Sequence, residues 1–408
     1  MQVAGRIYAG FSIGSIERAL RRVSARKLLA IVLLINILGS VYWALDRQQG
    51  LQDLGSFLHS GAAHREGLNP YGYYPYVQPQ PISPDALNLN PPITVYPFEA
   101  LSRADPTVLR YTFLVATAAS FAVALLLLQR AYPDKKDPLV VLAFISMAGL
   151  WHIFGYLQLY APLFLAVVGA WLLMTRGNTV GAAILIGLVV AIKPNFVLWP
   201  AFLLLAGHQR MGLVALGTTA AVSAVPFILD GPEIYSRWLS LSLAFDGLQW
   251  ASNASIMSMG ARVGLPTAGY VAGCLTILAL LALHWRLRPS ALDSSTLGII
   301  AALLFGPASW AGYTLFLVPY LCSRRWSSSV WVAVLLLCTP FWLMHYMTGA
   351  SPLTNALVGP LYGWAVLLLL GIVVARLLNL SAAERGLASR MAVLFGSGAK
   401  LREAEPAA

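Results

Sequence analysis

The sequence is poor in charged residues: only 11% of its 408 residues are Asp, Glu, Lys or Arg, whereas 58% are hydrophobic. A soluble domain carries about 25% charged residues, so this chain lacks the polar surface that a protein of its size needs in water. A disordered chain would require low hydrophobicity. The composition therefore excludes both a soluble multidomain enzyme and a disordered protein.

Cysteine is also scarce, and the usual metal and phosphate motifs are missing. Cys274, Cys322 and Cys338 lie in or beside apolar runs without metal-ligand spacing or a visible disulfide framework. His59 and His64 are five positions apart, which is not the i, i+4 spacing of a helical metal site. A Gly-rich phosphate loop and a serine nucleophile elbow are absent as well. We therefore predict no tightly bound metal and no cofactor.

What the sequence does contain is a series of apolar runs of about 20 residues, the length that crosses a bilayer. Basic residues collect in the short segments between these runs, so the positive-inside rule explains the net charge of +11 better than nucleic-acid binding does. We predict an all-α polytopic protein of the inner cell membrane with about 10–12 transmembrane helices. Both termini would be cytoplasmic, membrane lipids would be partners, and nucleic acid would not.

The predicted organisation has three parts. Residues 1–27 form a basic cytoplasmic N-terminus, residues 28–380 form the transmembrane domain, and residues 381–408 form a mobile cytoplasmic tail. Two polar loops interrupt the transmembrane domain on the extracytoplasmic side, over residues 46–107 and 230–266. Long loops in a membrane protein are usually functional.

Two apolar runs contain an interruption. Val180–Ala206 is interrupted at residues 193–195, and Leu297–Leu321 is interrupted at residues 306–310. Each run has basic residues at both ends, so a single straight span would place one basic end outside. Two half-length helices in each run keep both ends inside, and such breaks are tolerated where they line a cavity.

A carboxylate lies shortly beyond the first span, at Asp53. Leu54, Phe57 and Leu58 follow it at a spacing that places them on one helix face. An acidic group held beside apolar surface at a membrane interface can act as a general base. The alternative is a structural or exposed aspartate at a helix N-terminus, and the spacing alone leaves both interpretations open.

Two cations are candidates for binding an anion. Lys193 is the only lysine inside an apolar run, and a buried lysine needs a partner. It could neutralise a lipid phosphate, or it could reach the surface or pair with a structural carboxylate. Arg262 could also meet a phosphate, or it could be an ordinary loop arginine. Because an extracytoplasmic site has no nucleotide pool, a sugar donor carried on a lipid phosphate fits this pattern.

Several short motifs follow one another in the order found in GT-C glycosyltransferases. They are Asp53-Leu54-x-x-Phe57, Gly67-x-Asn69-Pro70-Tyr71, Asn90-Pro91-Pro92, Gln158, a Gly-rich helix ending at Lys193-Pro194, Asn253-x-Ser255 followed by Arg262, and Pro307-x-Ser309-Trp310. Over roughly residues 30–325 the chain resembles glycosyltransferase family 87, the polyprenyl-phosphate-mannose-dependent mannosyltransferase-like proteins.

The resemblance implies a GT-C fold with amphipathic helices in the first external loop. It also implies an inverting transfer of a mannose-like sugar from a polyprenyl-phosphate donor to a lipid or glycan acceptor, as in envelope glycolipid biosynthesis. Asp53 would be the catalytic base, and Lys193, Arg262 and Gln158 would bind the donor phosphate. The expected substrate contacts are Asn69, Tyr71, Asn253, Ser255, Trp310 and Tyr313.

One departure from the family pattern stands out. Many relatives carry a histidine just after the Ser-Trp pair, where this chain has Ala311-Gly312-Tyr313. Tyr313 could replace that histidine as a hydrogen-bond donor, or the substrate could differ from mannose.

Two other functions are compatible with the sequence. A transporter or a lipid or polysaccharide flippase also uses broken helices, although it does not need a long Pro/Tyr-rich loop. A pseudo-enzyme or assembly subunit is a third interpretation, against which the presence of Asp53 argues.

Overall fold

The computed structural model describes residues 24–47, 51–77, 87–348 and 351–396, with side chains up to residue 379. This described part of the chain is helical and has no β-strand. The α-helices are α1 (Ala25–Arg47), α2 (Gln52–Arg65), α3 (Val95–Leu101), α4 (Pro106–Ala131), α5 (Pro138–Ser146), α6 (Ala148–Tyr156), α7 (Tyr160–Thr175), α8 (Thr179–Ile192), α9 (Leu198–Leu205), α10 (Gln209–Asp230), α11 (Glu233–Ala244), α12 (Ile256–Arg262), α13 (Pro266–Leu287), α14 (Ala291–Phe305), α15 (Val318–Ser323), α16 (Ser328–Leu337), α17 (Phe341–Thr348), α18 (Pro352–Leu357) and α19 (Leu361–Gly396). The 3₁₀ helices are Pro92–Thr94, Pro133–Lys136, Pro194–Val197 and Ala311–Leu317.

The helices confirm an all-α polytopic membrane protein. In the part of the chain that the structure describes, five stretches are long and apolar enough to cross a membrane, and the number is up to seven if each of two bent helix pairs is one span. The long stretches are Ala25–Arg65, Pro106–Ala131, Gln209–Asp230, Pro266–Leu287 and Pro352–Asn379. Shorter apolar helices complete the bundle at Tyr160–Thr175, Thr179–Ile192, Pro194–Leu205, Ala291–Phe305 and Ala311–Ser323.

The two interruptions predicted from the sequence are real breaks, and they meet. Helix α8 ends at Ile192 before a 3₁₀ turn, and α14 ends at Phe305 before the Gly306–Trp310 turn. A Cβ atom placed on Gly306 would lie 3.5 Å from Asn195 Nδ2. The rings of Phe196 and Tyr313 are 5.2 Å apart in an edge-to-face arrangement. Both breaks therefore line the same interior region.

Two further breaks occur in runs that the sequence predicts to be straight. The pair α5 and α6 bends by 43° around Met147, and the pair α16 and α17 bends by 75° around residues 338–340. Pro340 explains the second bend, because proline cannot donate the helical hydrogen bond. Carbonyls freed at both bends are bonded by one side chain, since Asn36 Nδ2 in α1 donates to Ser146 O at 3.2 Å and to Cys338 O at 2.5 Å. A partner from another helix is what makes broken backbone tolerable in a membrane.

Replacing Asn36 tests this arrangement. Asn36→Leu leaves two buried carbonyls without a donor, so we expect the variant to lose about 1–3 kcal/mol of stability. Thermal unfolding of the purified protein in detergent measures the loss. Leu38→Ala, on the exposed side of the same helix, is the control and should stay close to the wild type. Equal melting temperatures for Asn36→Leu and the control would contradict the role of Asn36.

The two polar loops contact each other at one end of the bundle. Tyr96 donates to Asp230 Oδ2, and His64 Nε2 lies 3.1 Å from Asp230 Oδ1. Trp238 Nε1 donates to Leu89 O at 3.0 Å. The second loop thus holds the first in place, which positions the residues of the first loop.

Helix α2 packs unusually close to α3. A Cβ atom on Gly61 would lie 2.2 Å from the backbone carbon of Phe98, so only glycine fits at this crossing. The predicted apolar face of α2 is buried, but so are Ser56, His59 and Ser60. Helix α2 is therefore packed against protein on its polar side as well as on its apolar face.

Several other charged residues form ion pairs or cation–π contacts between segments that are far apart in the sequence. They are Arg26 with Asp137, Lys135 with Trp326, and Arg324 and Arg376 with Asp293. These contacts tie together segments that the positive-inside rule assigns to one side of the membrane.

The predicted terminal regions are covered only in part. Most of the basic N-terminus (residues 1–27) and the last residues of the tail lie outside the described residues. Helix α19 continues to Gly396, so the first part of the predicted tail (residues 381–408) is helical. Its mobility and its cytoplasmic location stay predictions.

Candidate active site

Asp53 lies in the first turn of α2. The preceding Leu51 has a φ of 45°, a left-handed conformation that is uncommon for leucine. The apolar residues of the turn explain why it is tolerated: Leu51 and Leu54 are both buried in one cluster. The other buried members of that cluster are Phe57, Leu58, Phe98, Leu109 and Leu157. Asp53 as a residue is partly exposed, so the apolar cluster fixes the backbone of the turn without enclosing the whole of Asp53.

Gln158 is the partner of Asp53. Helix α6 ends at Tyr156, and Leu157 adopts a left-handed conformation with a φ of 55° that turns the chain back. Leu157 is held in the same apolar cluster as Leu51. Gln158 Nε2 then donates to Asp53 Oδ2 at 2.6 Å, and Gln158 Oε1 lies 3.2 Å from His152 Nδ1. Two loop ends, 105 residues apart, are thereby joined.

Lys193 is a buried cation surrounded by neutral groups. Its ammonium donates to Asn90 Oδ1 and, at 3.2 Å, to the hydroxyl of Tyr160. It also lies 4.4 Å from the ring centre of Tyr160 and 5.7 Å from that of Tyr313. Within the described residues no carboxylate lies at ion-pair distance from Lys193, although its charge interacts with that of Asp53. The nearest groups therefore hold the ammonium without neutralising it.

The first polar loop delivers Asn90 to Lys193. Asn88 Oδ1 accepts from the backbone N–H of Asn90 at 2.9 Å, and the hydroxyl of Tyr71 donates to Asn90 O at 3.1 Å. Burial raises the pKa of Tyr71, so it stays a neutral donor. Asn69 Oδ1 in turn accepts from the backbone N–H of Tyr71 at 3.1 Å. The motifs around residues 69–71 and 90–92 thus converge on the Lys-Pro break.

Tyr313 closes the other side of the site. Its ring lies 4.6 Å from that of Tyr160. A Cβ atom on Gly312 would lie 2.7 Å from the Tyr160 ring and 3.3 Å from Gln158 Oε1. Position 312 therefore faces the site, and Tyr160 occupies the space that a side chain there would need.

A second cluster lies in the other polar loop. Asn253 Nδ2 donates to Pro307 O at 2.6 Å, and Asn253 Oδ1 accepts from the backbone N–H of Ser255 at 3.0 Å. Ser255 caps α12 by accepting from the backbone N–H of Ser258 at 3.1 Å. The Trp310 backbone pairs with that of Asn253. These side chains bond to the protein itself and shape the turn that precedes Tyr313.

Arg262 belongs to this second cluster. Its guanidinium donates to Ser258 Oγ at 3.2 Å, to Asn355 Oδ1 at 3.1 Å and to Trp250 O. Burial lowers the pKa of Arg262 to about 10, so the group stays charged at neutral pH. None of these contacts reaches Asp53 or Lys193.

A family model supplies the classification. The model of glycosyltransferase family 87 matches residues 88–307, more than half of the chain. The chain belongs to glycosyltransferase family 87. It is accordingly a glycosyltransferase of the membrane, and the predicted resemblance is confirmed. The chain has no significant match among curated proteins or among solved structures.

The family match covers half of the predicted site residues. Within it lie Gln158, Lys193, Asn253, Ser255 and Arg262. Outside it lie Asp53, Asn69, Tyr71, Trp310 and Tyr313. The structure brings together five of the predicted residues, which we call the Asp53 site: Asp53, Gln158, Lys193, Tyr71 and Tyr313. Gln158 bonds to Asp53, the ring of Tyr313 lies near the Lys193 ammonium, and Asn90 links Tyr71 to Lys193. The residues of the second cluster and Arg262 contact other residues, and their roles in substrate binding stay predictions.

Three further residues that contact the Asp53 site were not predicted as site residues from the sequence. They are His152, Tyr160 and Asn90. Asn90 was visible in the Asn-Pro-Pro motif, but no pattern connected it to Lys193. His152 and Tyr160 flank Gln158 within a few positions, and this proximity was the available signal.

The described residues contain no group of three or more His, Cys, Asp or Glu side chains that could hold a metal ion. The expected absence of a tightly bound metal and of a cofactor stays a prediction.

Proposed function

We propose that the protein transfers a mannose-like sugar from a polyprenyl-phosphate donor to a hydroxyl of a lipid or glycan acceptor. The transfer would invert the anomeric carbon and take place on the extracytoplasmic face. The observation that carries the proposal is that a carboxylate, Asp53, and a buried ammonium, Lys193, bond to Gln158 and Tyr160, which both lie against Gly312. Asp53 can take the proton of an acceptor hydroxyl, and Lys193 can bind a phosphate.

Asp53 is suited to act as the base. Gln158 occupies Oδ2, and among the described residues no donor contacts Oδ1. Oδ1 is therefore the carboxylate oxygen that can accept the proton of an acceptor hydroxyl. A base must come within hydrogen-bond reach of the proton that it removes.

Lys193 is suited to bind a phosphate. A buried ammonium without a counter-ion is costly, and a ligand that supplies negative charge removes that cost. Asn90 and Tyr160 orient the ammonium but carry no charge. A lipid phosphate bound here would pair with the Lys193 ammonium. Their attraction would be strong because water screens charges only weakly in buried surroundings.

The proposed step balances without a cofactor. The acceptor oxygen attacks the anomeric carbon from the side opposite the phosphate, and Asp53 takes the hydroxyl proton. The bond between the anomeric carbon and the phosphate oxygen breaks, and polyprenyl phosphate leaves with the electron pair. Lys193 stabilises the charge that develops on that phosphate, while the shared site orients both substrates.

The charge pattern supports the proposed side of the membrane. The ion-paired basic helix ends fit the cytoplasm by the positive-inside rule. The two polar loops, which meet at Asp230, then face the opposite side. A lipid-borne donor suits that side because it crosses the membrane with its sugar attached. The transporter alternative has no comparable support, since family 87 consists of glycosyltransferases.

A donor assay tests the proposal. Purified protein in lipid nanodiscs is incubated separately with polyprenyl-phosphate mannose, arabinose and glucose, each with a membrane lipid extract, and mass spectrometry follows the lipids. We expect one extract lipid to gain a hexose from the mannose donor. A parallel arm with GDP-mannose should give no product. Transfer from GDP-mannose alone, or from none of the three lipid donors, would contradict the proposed donor class.

A further inference from the structure

A histidine lies behind Gln158, on the side away from Asp53. His152 is in α6 and is buried, and its Nδ1 lies 3.2 Å from Gln158 Oε1. Its ring packs against those of Tyr156, at 4.7 Å, and Phe341, at 5.2 Å. Gln158 therefore has a hydrogen-bond partner at each end of its amide, with Asp53 at the other end.

The chemistry of the three groups fixes the direction of both hydrogen bonds. Asp53 Oδ2 is only 2.6 Å from the Gln158 amide, and a carboxylate can only accept. The amide nitrogen must therefore face Asp53, because the amide oxygen would place two acceptors against each other. This leaves Gln158 Oε1 facing His152, so Nδ1 of His152 must carry the proton and donate.

On the basis of the proposed function, we infer that His152 is a positioning residue for the transfer. Its Nδ1–H holds the Gln158 amide in the one orientation that donates to Asp53. That orientation occupies Oδ2 of the carboxylate and directs Oδ1 toward the acceptor hydroxyl. His152 touches neither substrate in this arrangement and acts only through Gln158.

Without the histidine, Gln158 Oε1 has lost its donor and the amide is held only by its bond to Asp53. The Gln158–Asp53 pair is then free to shift together, so Oδ1 is no longer held in the position in which it takes the proton. The Lys193 ammonium, proposed to bind the donor phosphate, is held by other side chains, namely Asn90 and Tyr160. Loss of His152 is therefore expected to slow the chemical step more than it weakens donor binding.

Three substitutions of His152 and one control at Phe341 separate the effect of the hydrogen bond from that of the ring packing. His152→Phe keeps the ring between Tyr156 and Phe341 but removes the donor. His152→Asn carries an amide nitrogen on the carbon that bears Nδ1 in histidine, so it can still donate to Gln158. His152→Gln is one carbon longer and places its amide closer to the position of Nε2. Phe341→Leu alters the packing around the ring without removing a hydrogen bond and serves as the packing control.

Steady-state kinetics with the donor that the wild type uses provide the first readout. We expect His152→Phe and His152→Gln to lower kcat by about 10-fold, the effect of losing one hydrogen bond between neutral groups. The KM for the donor should stay within about twofold of wild type. His152→Asn should recover most of kcat, and Phe341→Leu should stay near wild type. Equal kcat values for the Phe and Asn variants would overturn the inference.

A thermal-unfolding cycle provides a readout that does not depend on the donor. The single variants His152→Phe and Gln158→Met each break the chain of hydrogen bonds, so the double variant should lose no more melting temperature than the worse single variant. Additive losses would overturn the positioning role even if no donor supports transfer. If the cycle is non-additive but no polyprenyl-phosphate sugar reacts, the proposed function fails and the His152–Gln158–Asp53 chain stands.

Discussion

Asp53→Asn is expected to abolish sugar transfer while the protein stays folded. Removing a general base costs about 10²- to 10⁴-fold in rate. The asparagine keeps an oxygen that can accept from Gln158 Nε2, so the 2.6 Å contact that positions the residue survives. What it loses is the carboxylate oxygen that takes the proton, because an amide nitrogen has no basic lone pair.

The measurement is kcat for sugar transfer, together with the melting temperature in detergent. Asp246→Asn makes the same chemical change at an exposed aspartate in the second polar loop and should keep full activity. A melting temperature of Asp53→Asn close to that of the wild type shows that lost activity is not lost folding. Wild-type kcat in Asp53→Asn would remove this residue from the mechanism.

Lys193→Met is expected to have the second-largest effect. The substitution keeps a long unbranched side chain between Tyr160 and Tyr313 and removes the charge. Losing one group that stabilises the developing charge costs about 10²- to 10³-fold in kcat, and the affinity for polyprenyl phosphate should fall as well. Because a buried charge without a counter-ion is unfavourable in the empty site, the melting temperature should stay equal or rise.

Lys135→Met is the matched control for Lys193→Met. Lys135 is also buried and lies over an aromatic ring, that of Trp326, but it has Asp134 as a counter-ion at 3.0 Å. Its removal should leave the affinity for polyprenyl phosphate and the rate of transfer unchanged. If both lysine variants weaken donor binding equally, Lys193 has no special role in binding the phosphate.

Much of the fold was predictable because its signals are local. Apolar runs and basic flanks gave the spans, and the polar interruptions at residues 193–195 and 306–310 marked real breaks. The breaks at Met147 and at residues 338–340 were not predicted. Their carbonyls are bonded by Asn36, which is 110 and 302 residues away, and no local pattern reports such a partner.

The candidate site was predictable as a set of residues but not as an arrangement. The sequence and the family resemblance pointed to Asp53 and Lys193, and the structure places both in one site. Gln158 was expected to bind the donor phosphate. In the structure its amide joins Asp53 to His152. Within the described part of the chain, the second N–H of the amide is still available to a substrate. Arg262 was expected there too, and that role stays a prediction. Its bond to Asn355, 93 residues away, could not be predicted because the motifs do not include that segment.

The central claim is that Asp53 and Lys193 lie on either side of one sugar–phosphate linkage. The most direct test is a cryo-EM structure of the Asp53→Asn variant, which should bind the donor without consuming it, in complex with polyprenyl-phosphate mannose. We predict the phosphate against the Lys193 ammonium and the anomeric carbon of the sugar facing residue 53. A phosphate bound at Arg262 or among Arg324 and Arg376, with no sugar between residues 53 and 193, would contradict the claim.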